Sequence, residues 1–298
     1  MLQRTQLVSL LRSKTQCSIS QALKAINTSN GSYEHSHQVL AEILSKDSIK
    51  KAEKASTRPS GKEGLIGSLI LHSGYPITSG KPALNRSRGG ICEINCETDF
   101  VARTTTFKTL VQDITHSLAF LTDSNNGFKN FDDLNLNDLP LISSNPLSTE
   151  PSSSTSLKDA INDSISKLGE NITFKRFSNF SLNDPLNENL NILGQFIHGK
   201  LSNEENKSSP VQLGSLATLV NLSYNNTNYN KLYDQNTVEN LSKVIARQLT
   251  AFPVDEINNE FYDQPLIGSS DESQTVKSHL DNYNCYVDGF RRWNVGQE

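Results

Sequence analysis

The sequence predicts an α+β chain: a helical module at the N-terminus, then two units that each set helices against an antiparallel sheet. Three observations carry this. Apolar residues recur at helical spacing over residues 5–46, short β-rich runs replace them from residue 64, and both later units follow a strand–strand–helix order. At 298 residues the chain can bury real cores and holds two or three modules.

Residues 5–46 read as three short helices. Leu7, Leu10 and Leu11 stripe the first. Ser18 with Gln21 three residues later forms a capping-box pattern opening the second, where Ile19, Ala22, Leu23 and Ile26 mark one face. Asn30-Gly31 makes the turn, and Tyr33, His37, Leu40 and Leu44 stripe the third. A module this small has no room for a cleft, so its expected use is to touch another protein, the alternative being a structural cap. Residues 47–63 carry Lys50, Lys51, Lys54, Arg58 and Lys62 and read as a helical tail running into a basic linker with a solvated charged face.

Residues 65–71 are the first expected strand, 78–90 a polar loop and 91–98 the second strand. In that strand Cys92, Ile94 and Cys96 alternate with Glu93, Asn95 and Glu97, the pattern of a half-buried strand. It stops at Asp99-Phe100, where the aromatic is either a corner of the core or a probe for another protein. Phe107, Leu110, Val111, Ile114, Leu118 and Leu121 give a helix of about four turns. Residues 123–156 lack periodicity and are rich in Asn, Asp, Ser and Pro, so a mobile insertion is expected. Leu157, Ile161, Ile165 and Leu168 stripe the next helix, ended by Gly169, and residues 172–177 form a strand. The second unit, residues 183–298, is expected to contain strands at 193–198, 213–222 and 285–295 and helices at 236–251 and 273–282.

Net charge is −4, with no basic cluster that would announce a nucleic-acid partner. No apolar run of about 18 residues occurs, so no membrane span is expected. Cys17, Cys92, Cys96 and Cys285 contain no C-x-x-C pair, which argues against zinc and for a reducing compartment. No phosphate-cradling glycine motif and no nucleophile elbow is present; His35 and His37 point to different helix faces, and the other histidines stand alone. No catalytic, metal or cofactor residue is therefore nominated. The first 33 residues contain Arg4, Arg12, Lys14 and Lys24 but no acid before Glu34, a bias that suits an organelle transit segment.

The run Asn95-Cys96-Glu97-Thr98-Asp99-Phe100-Val101-Ala102-Arg103, with Phe107 following, resembles the signature of the elongation factor Ts family, exchange factors for the GTPase elongation factor Tu. Leu10-Leu11-Arg12-Ser13-Lys14-Thr15, Lys167-Leu168-Gly169-Glu170-Asn171-Ile172, Arg176-Phe177, Ile197-His198-Gly199, Gln264-Pro265-Leu266 and the stretch from Gly289 to Gly296 resemble further family motifs, in the same order. The resemblance implies a ubiquitin-associated-like three-helix domain at 1–46, a basic linker at 47–63, and two α+β core subdomains at 64–182 and 183–298, the first carrying the 123–156 insertion. It implies that Thr98, Asp99, Phe100, Val101, Leu168, Gly169 and His198 meet elongation factor Tu. Phe100 would wedge into its G domain with Asp99 beside it, Leu168 and Gly169 would press near the phosphate-binding loop, and Mg²⁺ and GDP would be loosened. Residues 253–262 are too short for the long hairpin of bacterial relatives, and the chain stops at Glu298 without their C-terminal module. With the acid-free N-terminus this favours the mitochondrial matrix and mitochondrial elongation factor Tu, without direct nucleic-acid or membrane contact and without a cofactor. Two alternatives stand: a degenerate paralogue that holds elongation factor Tu without exchange, and an unrelated enzyme on the same core fold.

Overall fold

The computed structural model describes residues 4–15, 17–29, 32–74, 86–146, 156–183, 190–202, 207–224, 234–271 and 273–297. Three helices come first, α1 (Arg4–Thr15), α2 (Ile19–Thr28) and α3 (Tyr33–Ser56). Leu7, Leu11, Cys17, Ala22, Ala25, Ile26 and Leu40 are buried together between them. The Ser18/Gln21 capping box opens α2 as expected. Two stripe positions differ from the expectation: Ile19 is 54 % exposed at the first turn, and the inner face of α3 runs through buried Ser36 and Leu40 while His37 faces solvent.

The expected linker is helical through Ser56, because Ala52 and Ala55 are small enough to seat α3 against the core while Lys50, Lys51 and Lys54 stay exposed. The partner helix there is α6 (Leu157–Leu168), and Lys51 Nζ donates to the Ser166 carbonyl at 3.4 Å.

The first sheet contains β1 (Glu63–His72), β2 (Arg86–Cys96), β3 (Gly127–Asn130), β4 (Thr173–Asn183) and β6 (Gln212–Gly214), ordered β3-β4-β2-β1-β6 and antiparallel throughout. The second contains β5 (Leu190–His198), β7 (Leu216–Tyr224) and β8 (Cys285–Asn294), ordered β5-β7-β8 and also antiparallel. Between β2 and β3 lie α4 (Asp99–Ala102) and α5 (Thr105–Leu121); α7 (Gln235–Ala251), α8 (Asn259–Tyr262) and α9 (Val276–Asp281) precede β8.

The sheets pack face to face through Ile66, Ile91, Ile197, Ala217 and Trp293, with α5 and α6 covering the outer face of the first and α7 that of the second. Strand glycines let each helix settle close: a Cβ on Gly67 would meet Thr115 Oγ1 at 2.2 Å, and one on Gly194 the Ser242 carbonyl oxygen at 2.4 Å.

This layering corrects several expectations. β2 is buried on both faces, not half buried: Asn95 is buried and donates its Nδ2 to the Gly61 carbonyl at 3.2 Å, while the stretch after β8 covers Glu93, whose carboxylate accepts from Arg176 Nε at 2.7 Å and the Gly296 N–H at 2.9 Å. Part of the loop expected at 78–90 is strand from Arg86, where Gly89 and Gly90 lie under close neighbours; residues 78–85 are outside the described set. The expected strand 213–222 is two strands, parted at Ser215 and donated to different sheets.

The 123–156 segment is not a loose insertion over its described part. β3 pairs with β4, and Phe131, Leu134, Leu136, Leu139 and Leu141 pack against the first core; residues 147–155 lie outside the described residues. Residues 253–262 hold only the short α8, pinned by fully buried Phe261. No helix of the described residues is long and apolar enough to cross a membrane.

Candidate functional site

β2 ends at Cys96, and the chain turns through Glu97 and Thr98 into α4. Thr98 is the N-cap, its backbone extended at φ −129°, and its hydroxyl accepts from the Val101 N–H at 3.4 Å. Four residues make too short a helix to hold itself, since nucleation fixes several residues for one hydrogen bond. Burial does the holding: Val101 and Ala102 sink into the first core, leaving Phe100 on the opposite side. Phe100 is 79 % exposed, the most exposed of the large hydrophobic side chains among the described residues. Such a group lowers the free energy of any complex that buries it.

Asp99 lies beside it, half exposed, with Arg103 Nη2 at 3.5 Å one turn on. Both ends of that pair face solvent, so it orients the carboxylate more than it stabilises the fold.

The Gly169 joint sits against this loop. Gly169 caps α6 in the left-handed conformation, φ +79°, donating its N–H to the Ile165 carbonyl at 2.8 Å. A Cβ there would touch nothing within 4 Å, so the glycine serves backbone conformation and an open surface. Glu170, the next residue, accepts from the Thr98 N–H at 3.0 Å and from the Thr98 hydroxyl at 2.6 Å. In return Glu97 accepts from the Asn171 N–H at 3.0 Å. Arg58, from just beyond α3, donates to Glu97 at 3.2 Å and to the Gly169 carbonyl at 3.2 Å, and Asn171 Nδ2 donates to the Arg58 carbonyl at 3.2 Å.

The structure thus brings together Thr98, Asp99, Phe100, Val101, Leu168 and Gly169. Val101 is a buried anchor rather than a surface, and Leu168 is half buried against the first core. His198 is not in that cluster: it ends β5, exposed, with its carbonyl accepting from Ser215 at 3.3 Å. Its loop is tied to the start of α5 at one remove, since Lys108 Nζ donates to the Ser202 carbonyl at 3.0 Å.

Sequence reasoning missed Arg58, Glu97, Glu170 and Asn171 as parts of the site. Three of them stand inside the quoted motifs, but Arg58 was counted with the solvated charges. Among the described residues no group of three or more His, Cys, Asp or Glu is placed to hold a metal ion. The four cysteines are free and buried; burial pushes the Cys96 thiol up to about 12, helped by nearby Glu170.

Fold and site together are two antiparallel sheets presenting a braced, exposed aromatic. A family model for elongation factor TS matches residues 97–270. Mitochondrial elongation factor Ts of Coprinopsis cinerea is 32 % identical over 271 residues, covering 88 % of this chain and 77 % of that protein. The mitochondrial protein of Laccaria bicolor is 30 % identical over 98 % of this chain and 91 % of its own length. A bacterial relative, elongation factor Ts of Clostridium acetobutylicum, is 29 % identical over 90 % of this chain. The chain belongs to the elongation factor Ts family, and it is a mitochondrial factor of translation elongation.

Proposed function

We propose that this chain is a guanine-nucleotide exchange factor for mitochondrial elongation factor Tu, not an enzyme, and that it acts in the matrix. Phe100 enters an apolar gap of the GTPase G domain near its Mg²⁺, with Asp99 as polar partner, while Leu168 and Gly169 press beside the phosphate-binding loop. Mg²⁺ demands near-ideal octahedral ligation, so a shift of about 1 Å in its supports weakens it and GDP together. The factor changes no bond. It couples to nucleotide by a reciprocal free energy, lowering GDP affinity by the factor by which GDP lowers its own.

The observation that carries this reading is Phe100: 79 % exposed on a loop otherwise anchored by buried Val101 and Ala102. His198 extends the contact to the second sheet. The N-terminal helices, read as ubiquitin-associated-like, add a further contact ahead of the two core subdomains. Nucleic acid and membrane are not contacted directly.

The test is release of a fluorescent GDP analogue from purified mitochondrial elongation factor Tu, with no factor, with this protein, and with the Asp99→Ala/Phe100→Ala variant. Strong acceleration by the wild type, lost in a folded variant, is expected. Binding without acceleration by the wild type would replace exchange with holding.

A further inference from the structure

We propose that Glu170 and Glu97 form a reciprocal clasp that makes Phe100 and Gly169 one rigid body, with Glu170 the positioning residue that lets the wedge act on nucleotide. The inference rests on the exchange reading and adds to it residues that touch neither nucleotide nor the wedge's target.

The geometry is a crossed pair. Glu170, on the joint after α6, takes the N–H and hydroxyl of Thr98 on its two carboxylate oxygens, at 3.0 and 2.6 Å. Glu97, on the loop after β2, takes the N–H of Asn171 at 3.0 Å. The links join residues 72 and 74 positions apart, so each registers one segment against a distant one instead of closing a local turn. Arg58 links the two segments beside the carboxylates, donating to both Glu97 oxygens at 3.2 and 3.3 Å and to the Gly169 carbonyl at 3.2 Å. Bonds to an ionised acceptor are shorter and stronger than neutral ones, and two-point acceptance adds direction.

Such bracing matters because of what the loop must do. Opening an apolar gap in a folded partner takes force, and a soft base would yield before the partner did. Val101 and Ala102 fix the depth of α4, but a four-residue helix on two buried side chains can still rock. Tying the N-cap residue to Glu170 removes that freedom. Load on Phe100 then passes through Thr98 into the end of α6, the element that carries Gly169. Functional groups held by a second set of bonded residues act with the least reorganisation.

The test separates positioning from contact and from mere folding. Exchange on mitochondrial elongation factor Tu is measured as a function of factor concentration for wild type, Glu170→Ala and Glu170→Gln, giving a maximal release rate and a half-saturating concentration. Affinity for nucleotide-free elongation factor Tu and the thermal midpoint are measured on the same preparations. Glu170→Ala is expected to lower the maximal rate about tenfold, the effect of losing a charge-assisted hydrogen bond. Half-saturation and affinity should move less than about threefold, and Glu170→Gln, which keeps one acceptor, should lie between. Maximal rates within about twofold of wild type for both variants would overturn the clasp while leaving exchange intact. A fall in affinity matching the fall in rate would overturn it in favour of a direct contact, and a fall tracking the folded fraction would reduce Glu170 to a structural role. If the alanine variant does not fold, Glu170→Gln decides by the same criteria. Failure of the wild type itself to accelerate release would overturn the exchange reading.

Discussion

Replacing Arg176 with alanine gives the sharpest structural test. Glu93 is fully buried, and its carboxylate has two partners, Arg176 Nε at 2.7 Å and the Gly296 N–H at 2.9 Å. Arg176 also donates to the Asn294 carbonyl at 3.3 Å and lies 4.7 Å over the Trp293 ring. Its side chain thus fastens the end of β8 to the centre of the first sheet, seven residues before Phe100. Removing it strands a buried charge, which costs about 3–5 kcal/mol, with about 0.5–1 kcal/mol more from the lost cation–π contact. Glu93→Gln keeps an acceptor for Gly296 and costs less, about 1–3 kcal/mol. Glu93→Gln/Arg176→Met removes both charges and should recover at least half of the Arg176→Ala loss, because the penalty lies in the unpaired charge rather than in the missing pair. Trp293 is the only tryptophan, so urea unfolding followed by its fluorescence reads this contact and global stability together. A loss below about 1 kcal/mol for Arg176→Ala, or costs that simply add in the double variant, would refute the reasoning.

Phe100→Ala should leave the unfolding free energy within about 0.5 kcal/mol of wild type, since the ring is mostly in solvent, although it should abolish exchange. Gly194→Ala should cost more than about 2 kcal/mol in the same unfolding assay, because its Cβ would meet the Ser242 carbonyl at 2.4 Å and lift α7 off β5. His279 is held below its ordinary value of 6.5 by desolvation, so the unfolded chain takes up that proton first. Its contribution to stability is therefore lost as pH falls from 6.5 through the lower folded value, and His279→Gln should flatten the fall of the urea midpoint below that pH.

Much of the secondary structure could be read from periodicity. α5 and α7 announce themselves through residues such as Phe107, Ile114, Val238 and Ile245, all fully buried. Where the reading went astray, the missing information was tertiary. Glu93 alternates with Cys92 and Ile94 like a solvent-facing residue, yet it is buried by a strand end two hundred residues later. Phe131, Leu134, Leu136, Leu139 and Leu141 show no helical or strand period, so a segment that packs on the core looked like low complexity. The break at Ser215 has a local signal in Gly214, where a Cβ would meet the His198 carbonyl oxygen at 2.6 Å, but that the two pieces join different sheets is tertiary information. At the site, the motif around Phe100 was legible through resemblance, and its exposure follows from buried Val101 and Ala102. The clasp was not legible: Glu97, Glu170 and Arg58 look like ordinary surface charges until the fold brings positions more than seventy residues apart within 3 Å.

The central claim is that contact with this protein and retention of GDP oppose each other. The direct measurement is the affinity of the wild-type factor for mitochondrial elongation factor Tu, without nucleotide and with saturating GDP and Mg²⁺. Exchange by the Phe100 wedge requires that GDP weaken factor binding by the same ratio by which the factor weakens GDP binding. A large drop in affinity on adding GDP, absent for Phe100→Ala, is the expected result. Equal affinity in both conditions would contradict it, and would mean that the protein holds its partner without acting on the nucleotide.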